Sequence, residues 1–433
     1  MTTINVGLLG LGTVGKGVAT IVARESPQLA SAGLKITRAA VRTITPERQA
    51  HFPDIKLTTD AFQIVNDPEI QIIVEAIGGI DLPYALIQQA LRNGKHVITA
   101  NKDLIATHGQ ALTALAASQH VALNYEAAVM GSIPILRTLN TNFAGDTITS
   151  LAGIANGTSN FILSQMARGR SYPDALAEAQ QKGFAEADPT NDVEGLDASY
   201  KLLILCRLAF GLDATLASIH RQGITTLTAA DFAAAKHFGC TIKPLIRAIR
   251  RGNQLNLTVA PALVPNTDPL SHVDDEFNAI ELTSTNTKSL VLIGPGAGSL
   301  PTANAVVADL QAVAHDIRGH QTPTIAAQAL QPAEAFEIKT PQLIVLDTDP
   351  SITGAAIADH LGLSCVTYQH NNALTLLSPA VTDQTIDTWR ATLNSLKHVK
   401  VQHVLPVFNA DGRAPQTQLQ NLTTAAETES QSF

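Results

Sequence analysis

Apolar and polar positions alternate in two different ways along this chain, and the change of pattern divides it. Over the first third, short wholly apolar runs are separated by stretches with apolar residues at helical spacing. The runs predict strands at Asn5–Leu9, Leu34–Val41, Ile72–Ala76, His96–Thr99 and Val121–Asn124. The periodic stretches predict helices up to Arg24, over Leu82–Asn93 and over Gly109–Ser118. Strands apolar at every position are covered on both faces, so this part reads as an α/β fold with a parallel, doubly wound sheet. From about residue 140 the order changes. Strands at Ile148–Ile154, Ile242–Ile249, Leu255–Val259, Phe277–Leu282 and Ser289–Ile293 mix with helices near 158–168, 174–182 and 194–211, an α+β unit on a mixed or antiparallel sheet. A proline-bearing break at Gly319–Pro332 reads as linker. Beyond it, strands at Gln342–Leu346, Ser364–Gln369, Ala373–Leu377 and Val399–Val407, with helices at Thr353–His360 and Thr385–Leu396, follow the ferredoxin-like order βαββαβ. Asn409–Phe433 is polar and aperiodic and reads as a tail.

Composition narrows the class. A chain of 433 residues with 45% hydrophobic and 15% charged residues is expected to fold into two or three well-buried domains. The net charge of −8, with no basic stretch interleaved with aromatics, excludes a nucleic-acid partner. No apolar run approaches the ~20 residues of a membrane span, and no secretory leader pattern opens the chain, so a cytoplasmic protein is expected. Cys206, Cys240 and Cys365 are scattered and frame neither a zinc site nor a disulfide, and the 13 histidines form no HxxxH pattern.

The chemistry lies at strand ends. Gly10-Leu-Gly12-Thr13-Val14-Gly15 follows a predicted strand and opens a predicted helix, the setting in which GxGxxG binds a dinucleotide. Gly10 makes the tight turn, Gly12 admits the pyrophosphate, and Gly15 lets helix and strand pack. Arg42, not an acid, follows the second strand, with Arg48 nearby, which favours the 2′-phosphate of NADP over NAD. Gly78 and Gly79 after one strand, and Thr99 and Lys102 after the next, are expected near the nicotinamide. Gly294-Pro-Gly296-Ala-Gly298 makes a second glycine loop, and the helix expected over Thr302–Ala314 returns to the first domain. In Tyr125–Pro134, Glu126 and the backbone carbonyls either wrap a hard monovalent cation or simply make a tight connection that needs Gly131. Asn156–Asn160 is a polar strand-to-helix junction able to contact a substrate. Gly183–Leu208 joins a loop bearing Glu186, Asp188, Asp192 and Glu194 to a helix on which Asp197 and Lys201, at i and i+4, share a face. The expected domains are therefore a dinucleotide-binding domain over 1–135 completed by 294–318, a catalytic and dimerisation domain over 136–293, a linker over 319–339, a βαββαβ domain over 340–408 and a flexible tail over 409–433.

These motifs carry a resemblance. GLLGLGTVGKGV, EAIGG, HVITANKDLIATHG, NYEAAVMGSIP, GIANGTSN, GFAEADPTNDVEGLDASYKLLILCRLAFG and GPGAGSLPTANAVVADL, in that order from residue 7 to about 310, resemble homoserine dehydrogenase. The last third loosely resembles that family's ACT domain, and no aspartate kinase region accompanies it, so the monofunctional form is the one resembled. The resemblance implies a Rossmann domain and reversible NAD(P)H-dependent reduction of L-aspartate 4-semialdehyde to L-homoserine, in threonine, methionine and isoleucine biosynthesis, by a homodimer or homotetramer. It implies that Lys102 and Lys201 flank the aldehyde oxygen as oxyanion stabilisers and proton relay. By the same resemblance Asp197 orients Lys201, and Glu186 takes the substrate ammonium with Gly157, Thr158 and Asp192 helping. Glu126, Val129, Gly131 and Ile133 match the family's monovalent-cation loop, sodium or potassium, and Gly298 joins the cofactor contacts.

The chain departs from the family at Phe184, usually Tyr, at Asn191, usually an acid, and at Gly131-Ser132, usually Gly-Gly. It reads Asp347-Thr-Asp-Pro350-Ser-Ile where ACT domains carry Asp-x-Pro-Gly, which counts against feedback inhibition by threonine. Two other readings compete: aspartate-semialdehyde dehydrogenase, which needs an activated cysteine thiol, and a non-catalytic NADP sensor, which needs no proton relay.

Overall fold

The structure is a computed structural model and describes residues 3–24, 27–319, 330–363, 365–370 and 373–408. The expected tail over 409–433 and residues 320–329 of the expected linker lie outside the described residues. The chain forms two compact units, one from Met1–Thr147, Tyr200–Ala214 and Gly294–Gln331, the other from Ile148–Ser199, Thr215–Ile293 and Pro332–Phe433.

The first unit is built on six parallel strands, β1 (Ile4–Leu9), β2 (Leu34–Ala40), β3 (Lys56–Thr58), β4 (Ile72–Glu75), β5 (His96–Thr99) and β6 (Leu123–Asn124), in the order β3-β2-β1-β4-β5-β6. That is the dinucleotide-binding order, reversing between β1 and β4, where ligands bind beyond the strand ends. Val6, Leu8, Ile72, Val74 and Ile98 bury one face against Ala303, Val306, Leu310 and Val313 of the helix Ser299–Gly319. On the other face a Cβ on Gly7 would meet Ile64 at 2.4 Å. Apolar side chains on both faces explain why these strands read as unbroken apolar runs.

One helix departs from expectation. It spans Lys102–Ser118, starting seven residues before the predicted Gly109. Asn101 caps it, its Oδ1 accepting the Leu104 N–H at 3.1 Å, while Gly109 is buried within it. A glycine inside a helix costs only ~1 kcal/mol against alanine, and packing outweighs that here. Lys102 is thus the first residue of a helix rather than part of a loop.

The second unit has a mixed sheet whose long strands are β7 (Ile148–Ile154), β8 (Cys240–Arg251), β9 (Gln254–Pro265), β10 (Phe277–Ser284) and β11 (Lys288–Pro295), in the order β11-β10-β7-β8-β9. β7 pairs antiparallel with β8 and β10, β8 with β9, and the short strands His220–Arg221 and Glu334–Ala335 run parallel to β9. Glu334–Ala335 falls inside the stretch expected as linker. The helix Gly157–Ala167 is buried from Thr158 through Met166. A helix over Ala229–His237, absent from the periodicity reading, starts at a Thr228/Asp231 capping box. The last elements of this unit are β12 (Gln342–Thr348), β13 (Val366–His370), β14 (Ala373–Leu377) and β15 (Val399–Pro406), with helices Gly354–Leu361 and Asp383–Ser395. They form a four-stranded antiparallel sheet in the order β13-β14-β12-β15, the split βαβ arrangement. Its Leu343, Val345, Leu377 and Leu405 share one core with Phe238, Ile242 and Leu263.

Candidate active site

The three glycines of the turn after β1 stand in different surroundings. Gly10 has φ +100°, and a Cβ there would lie 2.6 Å from the Ala76 carbonyl oxygen. A Cβ on Gly15 would come within 2.1 Å of the Gly10 carbonyl oxygen, whereas at Gly12 it would meet nothing within 4 Å. The turn is closed on the protein side and open at Gly12, where a diphosphate would approach the N-terminus of helix Thr13–Ala23. Ser299 Oγ donates to the Thr13 carbonyl at 2.7 Å, and a Cβ on Gly17 would strike the Ser299 carbonyl oxygen at 2.7 Å, so this helix and Ser299–Gly319 cross in direct contact. Val14 is half-buried at the helix start, Arg42 stands exposed just past β2, and the Arg48 guanidinium folds back onto the Thr43 carbonyl.

The strand ends of β4 and β5 are tied by a buried carboxylate. Glu75, fully buried, accepts the Thr99 hydroxyl at 2.5 Å and the Ile77 N–H at 2.7 Å. Burial raises its pKa, and those hydrogen bonds oppose the rise. Asn101 Nδ2 donates to the Gly79 carbonyl at 2.7 Å, so Glu75 and Asn101 together shape the Gly78-Gly79 turn beside which Lys102 begins its helix. The signal in the sequence was an acid closing an otherwise apolar strand.

Lys102 is about one-third exposed and lies 3.6 Å from the Asp103 carboxylate. Lys201 is half-buried on the helix Leu196–Phe210, which becomes wholly buried from Leu202 to Cys206. Two turns further on, Arg207 Nη1 donates to the Ile105 carbonyl at 3.1 Å and the Ala106 carbonyl at 2.6 Å, and its Nε pairs with Asp213 at 2.8 Å. Ile105 and Ala106 lie one turn past Lys102, so a guanidinium on the Lys201 helix grips the Lys102 helix. An arginine within an apolar helical run announces no such role in one dimension.

The carboxylate loop belongs to the second unit. Asn156 Nδ2 donates to Asp192 Oδ1 at 2.7 Å and to Asp197 Oδ2 at 2.9 Å, bringing an expected substrate carboxylate and the expected lysine-orienting one together. Thr158 donates to the Phe184 carbonyl at 2.6 Å, and Gly157 packs so closely that a Cβ would meet the Glu276 carbonyl oxygen at 2.5 Å. Glu186 is exposed, its backbone carbonyl held by Gln180 Nε2 at 3.1 Å. Asp188 turns back on Thr190, whose N–H and hydroxyl hold its pKa down. Glu194 accepts the Thr225 hydroxyl at 3.1 Å, a structural role.

In the expected cation loop, Glu126 directs both carboxylate oxygens to the N–H groups of Leu136 and Arg137, each at 2.8 Å. Its side chain caps a short helix. A Cβ on Gly131 would meet the Gly296 carbonyl oxygen at 2.5 Å, and Ser132 Oγ donates to the Pro295 carbonyl at 3.0 Å, so the loop is seated on the second glycine loop beside Gly298. Val129 and Ile133 are buried there. Its Glu126 N–H is held by Asp309, which burial pushes up to about 7.

Against known proteins, residues 134–311 match the family described as homoserine dehydrogenase and residues 10–126 its NAD-binding domain. A homoserine dehydrogenase of Bacillus subtilis is 42% identical over 322 residues, 73% of this chain and 74% of the relative, and one of Pseudomonas aeruginosa is 41% identical over 334 residues, 77% of each. The crystal structure of a homoserine dehydrogenase from Thiobacillus denitrificans is similar with a TM-score of 0.87 at 37% identity, covering 95% of this chain and 99% of that one. A hyperthermophilic archaeal homoserine dehydrogenase in complex with NADPH aligns with a TM-score of 0.61 at 25% identity, over 71% of this chain and 97% of that one.

The chain belongs to the homoserine dehydrogenase family. It is therefore an oxidoreductase that takes a nicotinamide cofactor and a small-molecule substrate, with Gly10, Gly12 and Lys102 inside the family's NAD-binding region and Asp197 and Lys201 inside its homoserine dehydrogenase region. A thiol mechanism is at odds with the structure: Cys206 and Cys240 are buried in apolar surroundings, which push both thiols up, Cys240 to about 12. No helix among the described residues is long and apolar enough to cross a membrane.

Proposed function

We propose that this homoserine dehydrogenase reduces L-aspartate 4-semialdehyde to L-homoserine, reversibly, with Lys102 and Lys201 acting on the aldehyde oxygen, and so serves threonine, methionine and isoleucine biosynthesis. The observation that carries this reading is the Arg207 grip, which registers the helix of one lysine against the helix of the other. With its diphosphate at the glycine turn, the dinucleotide would supply the hydride from its nicotinamide. As carbon–hydrogen bond formation proceeds, negative charge collects on the aldehyde oxygen, and paired ammonium groups stabilise it before one of them delivers the proton. Asp197, one helical turn before Lys201, orients that ammonium. Glu186, with Asp192, Thr158 and Gly157, takes the amino-acid end of the substrate.

NADP is the assigned cofactor, because the exposed Arg42 at the end of β2 suits a 2′-phosphate and no acid stands there to accept ribose hydroxyls. Arg42→Glu is expected to lower kcat/KM for NADPH at least tenfold and to leave NADH less affected. The carbonyls of Glu126, Val129, Gly131 and Ile133 would hold a sodium or potassium ion, supported by the tight seating of that loop. Replacing both ions with a bulky organic cation is expected to reduce the rate. A homodimer or homotetramer is assigned.

The deciding assay is NADPH oxidation with aspartate semialdehyde, run without phosphate. Lys102→Ala and Lys201→Ala should each abolish turnover while NADPH still binds. A Lys201→Ala enzyme with near-normal kcat would refute the assignment.

A further inference from the structure

Asn156 spends both ends of its amide. It is 6% exposed, at the junction of β7 with the helix Gly157–Ala167. Its Oδ1 accepts the Ser159 backbone N–H at 2.8 Å, and because that N–H can only donate, the oxygen must face it. The orientation of the amide is thereby fixed, and Nδ2 is turned to Asp192 and Asp197 at 2.7 and 2.9 Å. The Asp192 carbonyl accepts the Ser159 hydroxyl at 2.9 Å, so the loop is held at its backbone as well as at its side chain.

Two carboxylates that share one small donor repel each other across a short distance, and in a poorly hydrated place that repulsion is large. Asp197 is 9% exposed. A neutral group with two N–H bonds offsets the repulsion without adding a charge, and it sets the angle between the two carboxylates. Asn156, Asp192 and Ala198 border a small cavity whose wall includes Pro244, Val259, Ala260 and Pro261, with Gln222 as the one other amide among its lining residues.

We propose that Asn156 is a positioning residue for the reduction, holding Asp192 in one fixed arrangement against Asp197, which lies one helical turn before Lys201. The inference rests on the reading in which Asp197 serves Lys201 and Asp192 serves the substrate. In this role the capping oxygen builds the helix and the amide nitrogen builds the site, and the two jobs are separable by substitution.

Asn156→Asp and Asn156→Ser separate them. Both retain an oxygen able to cap the helix, since Asp, Ser and Asn are comparable N-caps. Neither supplies one nitrogen to both carboxylates, and Asn156→Asp adds a third acid. Both variants are expected to keep the wild-type circular dichroism spectrum, a Tm within a few degrees and unchanged NADPH binding. Their kcat/KM for aspartate semialdehyde should fall about 10²-fold, as displacement of a reacting group by a fraction of an ångström does. Asn156→Asp should regain activity at lower pH, where its added carboxyl carries a proton and can donate again, while Asn156→Ser keeps the wild-type pH profile at reduced amplitude. Asp197→Asn and Lys201→Ala run alongside. If those two are inactive and both Asn156 variants stay within threefold of wild type, the positioning role is overturned and the lysine reading stands. If Asp197→Asn is itself as active as wild type, the positioning role falls together with the role of Asp197, and Lys201→Ala decides the lysine reading separately. Losses in the Asn156 variants that only follow loss of folded protein, with no acid recovery of Asn156→Asp, also overturn it.

Discussion

Three glycines of one turn differ in what a side chain there would meet, and substitution separates Gly15 from Gly12. Gly15 faces the Gly10 carbonyl, where a methyl group would stand 2.1 Å away, while Gly12 faces open space within the protein. Gly15→Ala is expected to destabilise the enzyme by about 1–3 kcal/mol, the usual cost of overpacking, and to lower its Tm. Gly12→Ala is expected to leave Tm nearly unchanged and to raise the Kd for the dinucleotide at least tenfold, because the added methyl occupies the diphosphate's path. Calorimetry and a nicotinamide fluorescence titration check the pair, and a thermally fragile Gly12→Ala protein with normal cofactor binding would reverse the assignment.

At the scale of elements, packing between helices decides where charged ends arrive. Arg207 lies about 9 Å along its helix from Lys201 by the 1.5 Å rise per residue, close enough for its grip on Ile105 and Ala106 to set the helix's rotation. Arg207→Met keeps most of the apolar stem and loses every donor. Its expected result is a fall in kcat of about tenfold or more with NADPH affinity held within twofold, and a lowered Tm because Asp213 loses its partner. The sheet carries a pH dependence of its own. His96 on β5 accepts the Ala122 N–H at Nδ1, at 3.0 Å, which requires the neutral ring, and burial depresses its pKa below the ordinary 6.5, with Asp316 opposing. The unfolded chain then takes up the proton first, so this contribution to stability is present above pH 6.5 and is lost as pH falls through the lower folded value. His96→Gln, which can still accept that N–H, should show a flatter Tm between pH 7 and 5 than wild type.

For the whole molecule, the βαββαβ elements are part of a core rather than an appendage. Leu343, Val345, Leu377 and Leu405 bury Phe238, Ile242 and Leu263, and His403 meets the buried Asp231 at 3.0 Å. A chain ending at Phe336 would expose that surface, so it should be recovered insoluble or unfolded; a soluble, active truncation would contradict the shared core. The same lack of an Asp-x-Pro-Gly loop predicts that activity titrated with threonine stays flat.

The amino-acid sequence by itself determined the alternation of elements and the glycine turn, because periodicity and backbone permissiveness act within a few residues, and it offered Lys102, Lys201 and Asp197 as candidates. Even the strand His96–Thr99 ends where its apolar run ends. The early start of the Lys102 helix escaped, since one capping asparagine outweighed the glycine seven residues on. So did Gly17 against Ser299, Arg207 on the Ile105 and Ala106 carbonyls, and the two-carboxylate hold of Asn156. Each of these joins groups far apart along the chain, and only the packing of one element on another decides which donor reaches which acceptor.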